Sequence, residues 1–248
     1  AFIVHPAQVE AVVYINSRGD SLSTFFGLLS VYVLIRKRML FAPLSILLSI
    51  ASFLSKESGI MWAVLNLVIA LWLRRTRNHR TAMLVATVQA LTVGIYLLLR
   101  FSVLSFRDAL NAPPLVVRLS TFIVHSIPQY LTILLFPVHL HMERDLSPRA
   151  TGIFFLLITG LIVGAVIIKK KSHTMLHPYL FGLVWAGIFL IPFSGIMPIN
   201  ALLYEHWLYV PMVGWWFSVL VLLVSIVPKR PLGIFLVCVS LVWTILSI

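Results

Sequence analysis

The sequence predicts an all-α integral membrane protein: a polytopic helical bundle of about eight spans, with a re-entrant or interfacial helix on its outer side. Three observations predict it. Of 248 residues, 60% are hydrophobic and only 10% charged, and with a mean hydropathy of +1.04 there is too little polar surface to coat a soluble globule. Apolar runs of helical length recur between short polar segments. Charge is also sorted: 12 of the 19 Lys and Arg fall in four clusters, Arg36 to Arg38, Arg74 to Arg80, Lys169 to Lys171 and Lys229-Arg230. None of the seven acids, Glu10, Asp20, Glu57, Asp108, Glu143, Asp145 and Glu205, lies in those clusters. The net charge of +12 then sits on one side of a membrane and the carboxylates on the other, the positive-inside signature with an acidic extracytoplasmic face.

Spans are expected near residues 20 to 35, 39 to 54, 59 to 73, 81 to 99, 150 to 168, 178 to 193, 207 to 227 and 232 to 248. Several fall short of the roughly 20 residues that a bilayer requires and borrow flanking residues. The stretch from Leu119 to Pro137 is apolar enough to cross, yet it carries His125, Ser126, Pro128 and Gln129 in its middle. If it crossed, Lys169 to Lys171 would move outside and Glu143 and Asp145 inside, so it reads as the re-entrant or interfacial helix. Three outer segments result: 1 to 19, 100 to 149 and 194 to 206. Trp207, Trp215 and Trp216 suit interfacial and bundle positions.

With no internal repeat of about 20 to 50 residues, residues 1 to 248 read as a single membrane domain. The chain opens at Ala1 without methionine and stops at Ile248 inside an apolar stretch, so it is expected to be a fragment truncated at both ends. Cys238 is the only cysteine, which excludes an intramolecular disulfide and a thiolate metal cluster. Orientation accounts for the pI near 10.5, and no nucleic-acid partner is expected.

Four polar constellations fall on the predicted outer face. The first holds His5, Glu10, Asn16, Arg18 and Asp20 just ahead of a span; it reads either as a solvated lead-in, with Asp20 and Ser21 as cap candidates, or as a polar rim over a cavity. Glu10, among Val9, Val12 and Val13, is the acid best placed to be desolvated. The second is Ser55-Lys56-Glu57-Ser58, squeezed between two apolar runs. Either Lys56 and Glu57 partly neutralise one another in a snorkelling turn, or the ammonium faces a lipid-linked phosphate at headgroup depth. The third places His139, His141, Glu143 and Asp145 two residues apart, an ordinary polar loop or, in an extended segment, a weak metal-ligand candidate. The fourth runs from Ala201 to Pro211 and lodges Glu205 and His206 between Tyr204 and Trp207, an aromatic belt or a site. No Gly-rich phosphate loop, Walker motif, HExxH or GxSxG is present, which removes the common soluble-enzyme chemistries.

In order, these constellations resemble the multi-spanning glycosyltransferases of the GT-C superfamily, in particular the protein O-mannosyltransferase-like branch often followed by tetratricopeptide repeats. The matching segments are HPxxxEAVxxIxxRxDxL (His5-Pro6, Glu10-Ala11-Val12, Ile15, Arg18, Asp20, Leu22), LSKE (Leu54 to Glu57), YLxxLLFP (Tyr130 to Pro137) and an ERYLYLPxxG-like run from Glu205 to Gly214. Spread from His5 to Gly214, the resemblance extends over most of the chain. The resemblance implies transfer of a hexose, commonly mannose, from a polyprenyl-phosphate carrier to a protein hydroxyl or a glycan. It places Lys56, and secondarily Arg18, at the donor phosphate, with His5, Glu10, Asp20, Glu57, Glu205 and His206 orienting sugar or acceptor. The catalytic acid of such enzymes lies upstream of the His-Pro pair, hence before Ala1. His206 and Trp207 stand where the family has Arg-Tyr. Beyond the membrane lipid and the lipid-linked sugar, itself a substrate, no cofactor is implied, and a divalent metal stays open. The expected location is a bacterial inner membrane or the endoplasmic reticulum, with a periplasmic or lumenal active face.

Two other classes fit a many-spanned chain. A transporter or flippase would place ionisable groups near the bilayer midplane, whereas here nearly all lie at span ends. An envelope oligosaccharide ligase or polymerase would differ by using a lipid diphosphate donor.

Overall fold

The computed structural model describes residues 4–14, 17–36, 42–73, 79–102, 113–138, 140, 151–196 and 203–246. Most of them are helical, with no strand among the described residues, as the all-α expectation requires. In chain order the helices are α1 (Gln8–Val13), α2 (Arg18–Ile35), α3 (Ala42–Ser55), α4 (Ile60–Leu73), α5 (His79–Ser102), α6 (Leu115–Thr121), α7 (Ile127–Leu135), α8 (Thr151–Lys171), α9 (His173–Leu190), α10 (Pro211–Ile226) and α11 (Lys229–Leu246). Two helical stretches, His79–Arg100 and Thr174–Phe193, are long and apolar enough to cross a membrane.

The backbone divides into two compact units, Tyr14–Leu110 and the combination of Ala1–Val13 with Asn111–Ile248. The first consists of α2 to α5. Its seams are built from small and hydroxylic residues rather than large apolar ones. On α2 the buried stripe is Asp20, Ser23, Thr24, Gly27, Ser30 and Val31, and on α3 it is Ser45, Ser49 and Ser52, both at helical spacing. Ser23 and Ser52 lie 2.9 Å apart, and because the Ser52 hydroxyl donates to the Ser23 carbonyl at 2.7 Å, the proton between the hydroxyls comes from Ser23. Ser45 donates to the Ser30 carbonyl, Asn66 to the Ser30 hydroxyl, and Ser49 and Gln89 bond reciprocally. Phe25, Leu28 and Tyr32 on α2, with Leu47 and Leu54 on α3, point outward and are exposed. Helices can approach this closely only where side chains are minimal. At Gly27 the Trp62 indole occupies the place a Cβ would take.

In the second unit, α7 and α10 enclose an apolar core that includes Tyr130, Leu134, Leu208, Met212 and Trp215. Two glycines bring α9 and α10 into backbone contact: a Cβ on Gly214 would overlap the Gly182 carbonyl, and one on Gly182 would overlap the Ser218 hydroxyl. The stretch expected to be helical over 119 to 137 is helical in three parts, α6, a π turn at Phe122–Ser126 and α7. Pro128 explains the π turn. Proline has no N–H and its ring crowds the carbonyl four residues back, so a wider turn just ahead of it relieves the clash. Gly195, at φ +82° after the turn Ile191–Phe193, is left-handed, and a Cβ there would come within 3.0 Å of Arg118 Cβ.

One local expectation is corrected. Neither Asp20 nor Ser21 caps α2: the helix begins earlier, at Arg18, with Ser17 at its N-cap position and no side-chain cap bond. Asp20 therefore lies within the first turn, and its carboxylate is turned to another partner.

Candidate functional site

Each unit assembles its own cluster of the residues singled out from the sequence. In the α2–α5 unit the cluster forms where α3 gives way to α4. Ser52 O accepts the Lys56 N–H at 3.2 Å, Lys56 itself is extended (φ −156°, ψ 141°), and its carbonyl accepts the Gly59 N–H at 2.8 Å, starting the short turn Glu57–Gly59. This corner needs Gly59, where a Cβ would strike the Ser52 carbonyl. The extended backbone turns the Lys56 side chain toward α2, where its ammonium forms an ion pair with Asp20 Oδ2. The Asp20 side chain is only 11% exposed and that of Lys56 29%. A carboxylate in the first turn of a helix is also favoured by the helix dipole. Glu57 does not neutralise Lys56. It pairs instead with Arg100 at the end of α5, 2.6 Å away, with the guanidinium largely covered and the carboxylate exposed. Arg18 is exposed on the first turn of α2. The result is an ammonium with one N–H committed to a carboxylate and two further donors, at the rim of a helix bundle.

In the other unit, Glu10 is brought to His206, next to Glu205 in the chain, while His5 has partners of its own. The His5 ring is buried, with Trp243 edge-on at 4.6 Å and Trp216 at 6.2 Å. Its Nδ1 accepts the Ala7 N–H at 3.3 Å, so Nε2 carries the proton and donates to the Leu134 carbonyl at 3.2 Å. Burial pushes the imidazole pKa down to about 4. Both ring nitrogens are thus engaged, and His5 ties the segment ahead of α1 to the end of α7. Glu10, on α1, takes two bonds from one residue: Oε1 lies 2.8 Å from His206 Nδ1, and Oε2 accepts the His206 N–H at 3.2 Å. His206 belongs to the short turn Glu205–Leu208, stacks on Tyr204 at 5.2 Å and meets the edge of Trp207. Trp207 in turn stacks on Phe193 at 4.4 Å. Glu205 is buried.

Arg100 is the residue that sequence reasoning overlooked; its only signal was a basic side chain in the last turn of an otherwise apolar helix. The candidate metal ligands His139, His141, Glu143 and Asp145 lie outside the described residues. Among the described residues no group of three or more His, Cys, Asp or Glu is placed to hold a metal ion.

Compared with protein-family models, curated proteins and solved structures, the chain matches none of them.

Proposed function

We propose that this chain is an inverting glycosyltransferase, a polytopic GT-C-like bundle of about eight spans that moves a hexose from a polyprenyl-phosphate carrier to a protein hydroxyl on the extracytoplasmic face. The observation that carries it is the ion pair between Asp20 and Lys56, because each residue belongs to a different one of the four segments that resemble that superfamily. Two further bonds join segments in the same way. His5 of the first bonds the Leu134 carbonyl of the third, and Glu10 of the first holds His206 of the fourth. Residues far apart in sequence, picked out by one resemblance, meet in pairs.

The membrane setting is supported by the inverted burial of α2 and α3, with serine inside and phenylalanine, leucine and tyrosine outside, and by the two helices of spanning length and composition. In this reading the outward apolar side chains meet lipid, and the basic clusters anchor the cytoplasmic side of a bacterial inner or endoplasmic-reticulum membrane.

Transfer requires that an acceptor oxygen attack the anomeric carbon while the bond to the carrier phosphate breaks. Negative charge grows on the departing phosphate, and a fixed cation beside it lowers the barrier. Lys56 supplies that cation, with Asp20 holding it in place and the exposed Arg18 as a second contact. The resemblance assigns Glu10, Glu205 and His206 to sugar or acceptor, and within their own unit Glu10 holds His206 beside Tyr204 and Trp207. Glu57 is tied to Arg100 and shapes the rim, and His5 acts through the backbone it holds. The test is reconstitution of the purified full-length protein with polyprenyl-phosphate-mannose and a serine- and threonine-rich peptide. Mannosyl-peptide without solute uptake is the expected result, whereas uptake without product would point to a transporter.

A further inference from the structure

We propose that His206 is a general base of this chain, taking the proton of the acceptor hydroxyl on its Nε2 while Glu10 holds the imidazole in the required tautomer. The inference rests on the glycosyl-transfer reading and adds a proton acceptor carried within the described residues. The geometry is specific. A carboxylate oxygen facing a ring nitrogen accepts, so the 2.8 Å contact places a proton on His206 Nδ1, and in the neutral ring the lone pair is then on Nε2. The second oxygen, bound at 3.2 Å to the N–H of the same residue, stops the carboxylate from rotating away. Tyr204 covers one face of the ring and Trp207 abuts it, limiting its swing. Among the described residues nothing hydrogen-bonds Nε2, and the His206 side chain keeps 13% of its surface exposed.

A carboxylate, an imidazole oriented by it and an open Nε2 form the arrangement by which a hydroxyl is activated for attack. Here an acceptor oxygen lone pair forms the new bond to the anomeric carbon. The pair of the breaking carbon–oxygen bond leaves with the polyprenyl phosphate, and the hydroxyl proton moves to Nε2, from which water carries it away.

The experiment compares wild-type full-length protein with His206→Ala, His206→Gln and Glu10→Gln, using polyprenyl-phosphate-mannose and the peptide acceptor, with and without added imidazole. Thermal midpoints establish which variants are folded. His206→Gln, which keeps a donor for Glu10, serves if the alanine variant is not. The expected result for His206→Ala is a fall in kcat of about 100-fold or more at unchanged donor KM, relieved by imidazole. For Glu10→Gln, kcat falls by roughly 10-fold and imidazole gives no relief, since its base is still present but misoriented. An active wild type whose folded His206 variants stay within about threefold, or lose activity without imidazole relief, overturns the inference and leaves the glycosyltransferase reading standing. A wild type inactive with this donor removes both.

Discussion

Asp20, in the first turn of α2, forms an ion pair with Lys56, the extended residue that carries the chain out of α3. With both side chains more than two-thirds covered, this pair is neither a screened surface contact nor a fully desolvated one. Removing one member leaves the other charge without its partner. Asp20→Asn and Lys56→Met are each expected to lower unfolding stability by about 1–2 kcal/mol, and the double variant by less than their sum. Denaturant titration of the four proteins measures that coupling, and strict additivity would mean that the pair contributes nothing.

Backbone contact between α9 and α10 sets a second expectation. Gly214→Ala would drive a methyl into the Gly182 carbonyl and to within 2.8 Å of the Ala186 nitrogen, and backbone atoms cannot swing aside as a side chain can. The expected cost is about 1–3 kcal/mol. Gly187→Ala, in α9 but facing open space, should be neutral or stabilising by up to about 1 kcal/mol, because alanine is the better helix former. Equal effects from the two substitutions, read as thermal midpoints, would count against the close approach.

His5 makes stability depend on pH. Its folded pKa of about 4 lies below the ordinary 6.5, so between these values the unfolded chain binds a proton that the folded chain refuses. Stability is fully present above pH 6.5, declines as pH falls through the window and levels off below about 4, for a total of about 3 kcal/mol. The cause is burial, and a second proton would also point Nδ1 at the Ala7 N–H it now accepts. Unfolding in detergent at pH 7.5, 5.5 and 4.5 should show the decline in wild type and a flatter curve for His5→Gln. Parallel curves would place the titrating group elsewhere.

The helices were largely legible because their signal is local. A run such as Ile60 to Leu73, bounded by the Ser-Lys-Glu-Ser segment and by Arg74, declares its own ends. The helix over 119 to 137 was legible too, although its π turn was not, since that depends on how the backbone absorbs Pro128. Pairings were the hidden part. Lys56 and Glu57 are adjacent, which suggested mutual neutralisation, yet the extended backbone at Lys56 sends the two side chains to Asp20 and Arg100. Nothing local records that Glu10 meets a histidine 196 residues away; only the resemblance grouped the two in one site. The serine seam was likewise hidden, because hydrophobic periodicity marks the side of a helix that carries leucine and phenylalanine, and on α2 and α3 that side is the outer one.

The most direct measurement is transfer of mannose from a polyprenyl-phosphate carrier by the full-length protein bearing Lys56→Ala. If the Lys56 ammonium neutralises the departing phosphate, the variant inserts and folds but loses transfer by about 100-fold or more. A folded Lys56→Ala protein that turns over donor at the wild-type rate would contradict the assignment.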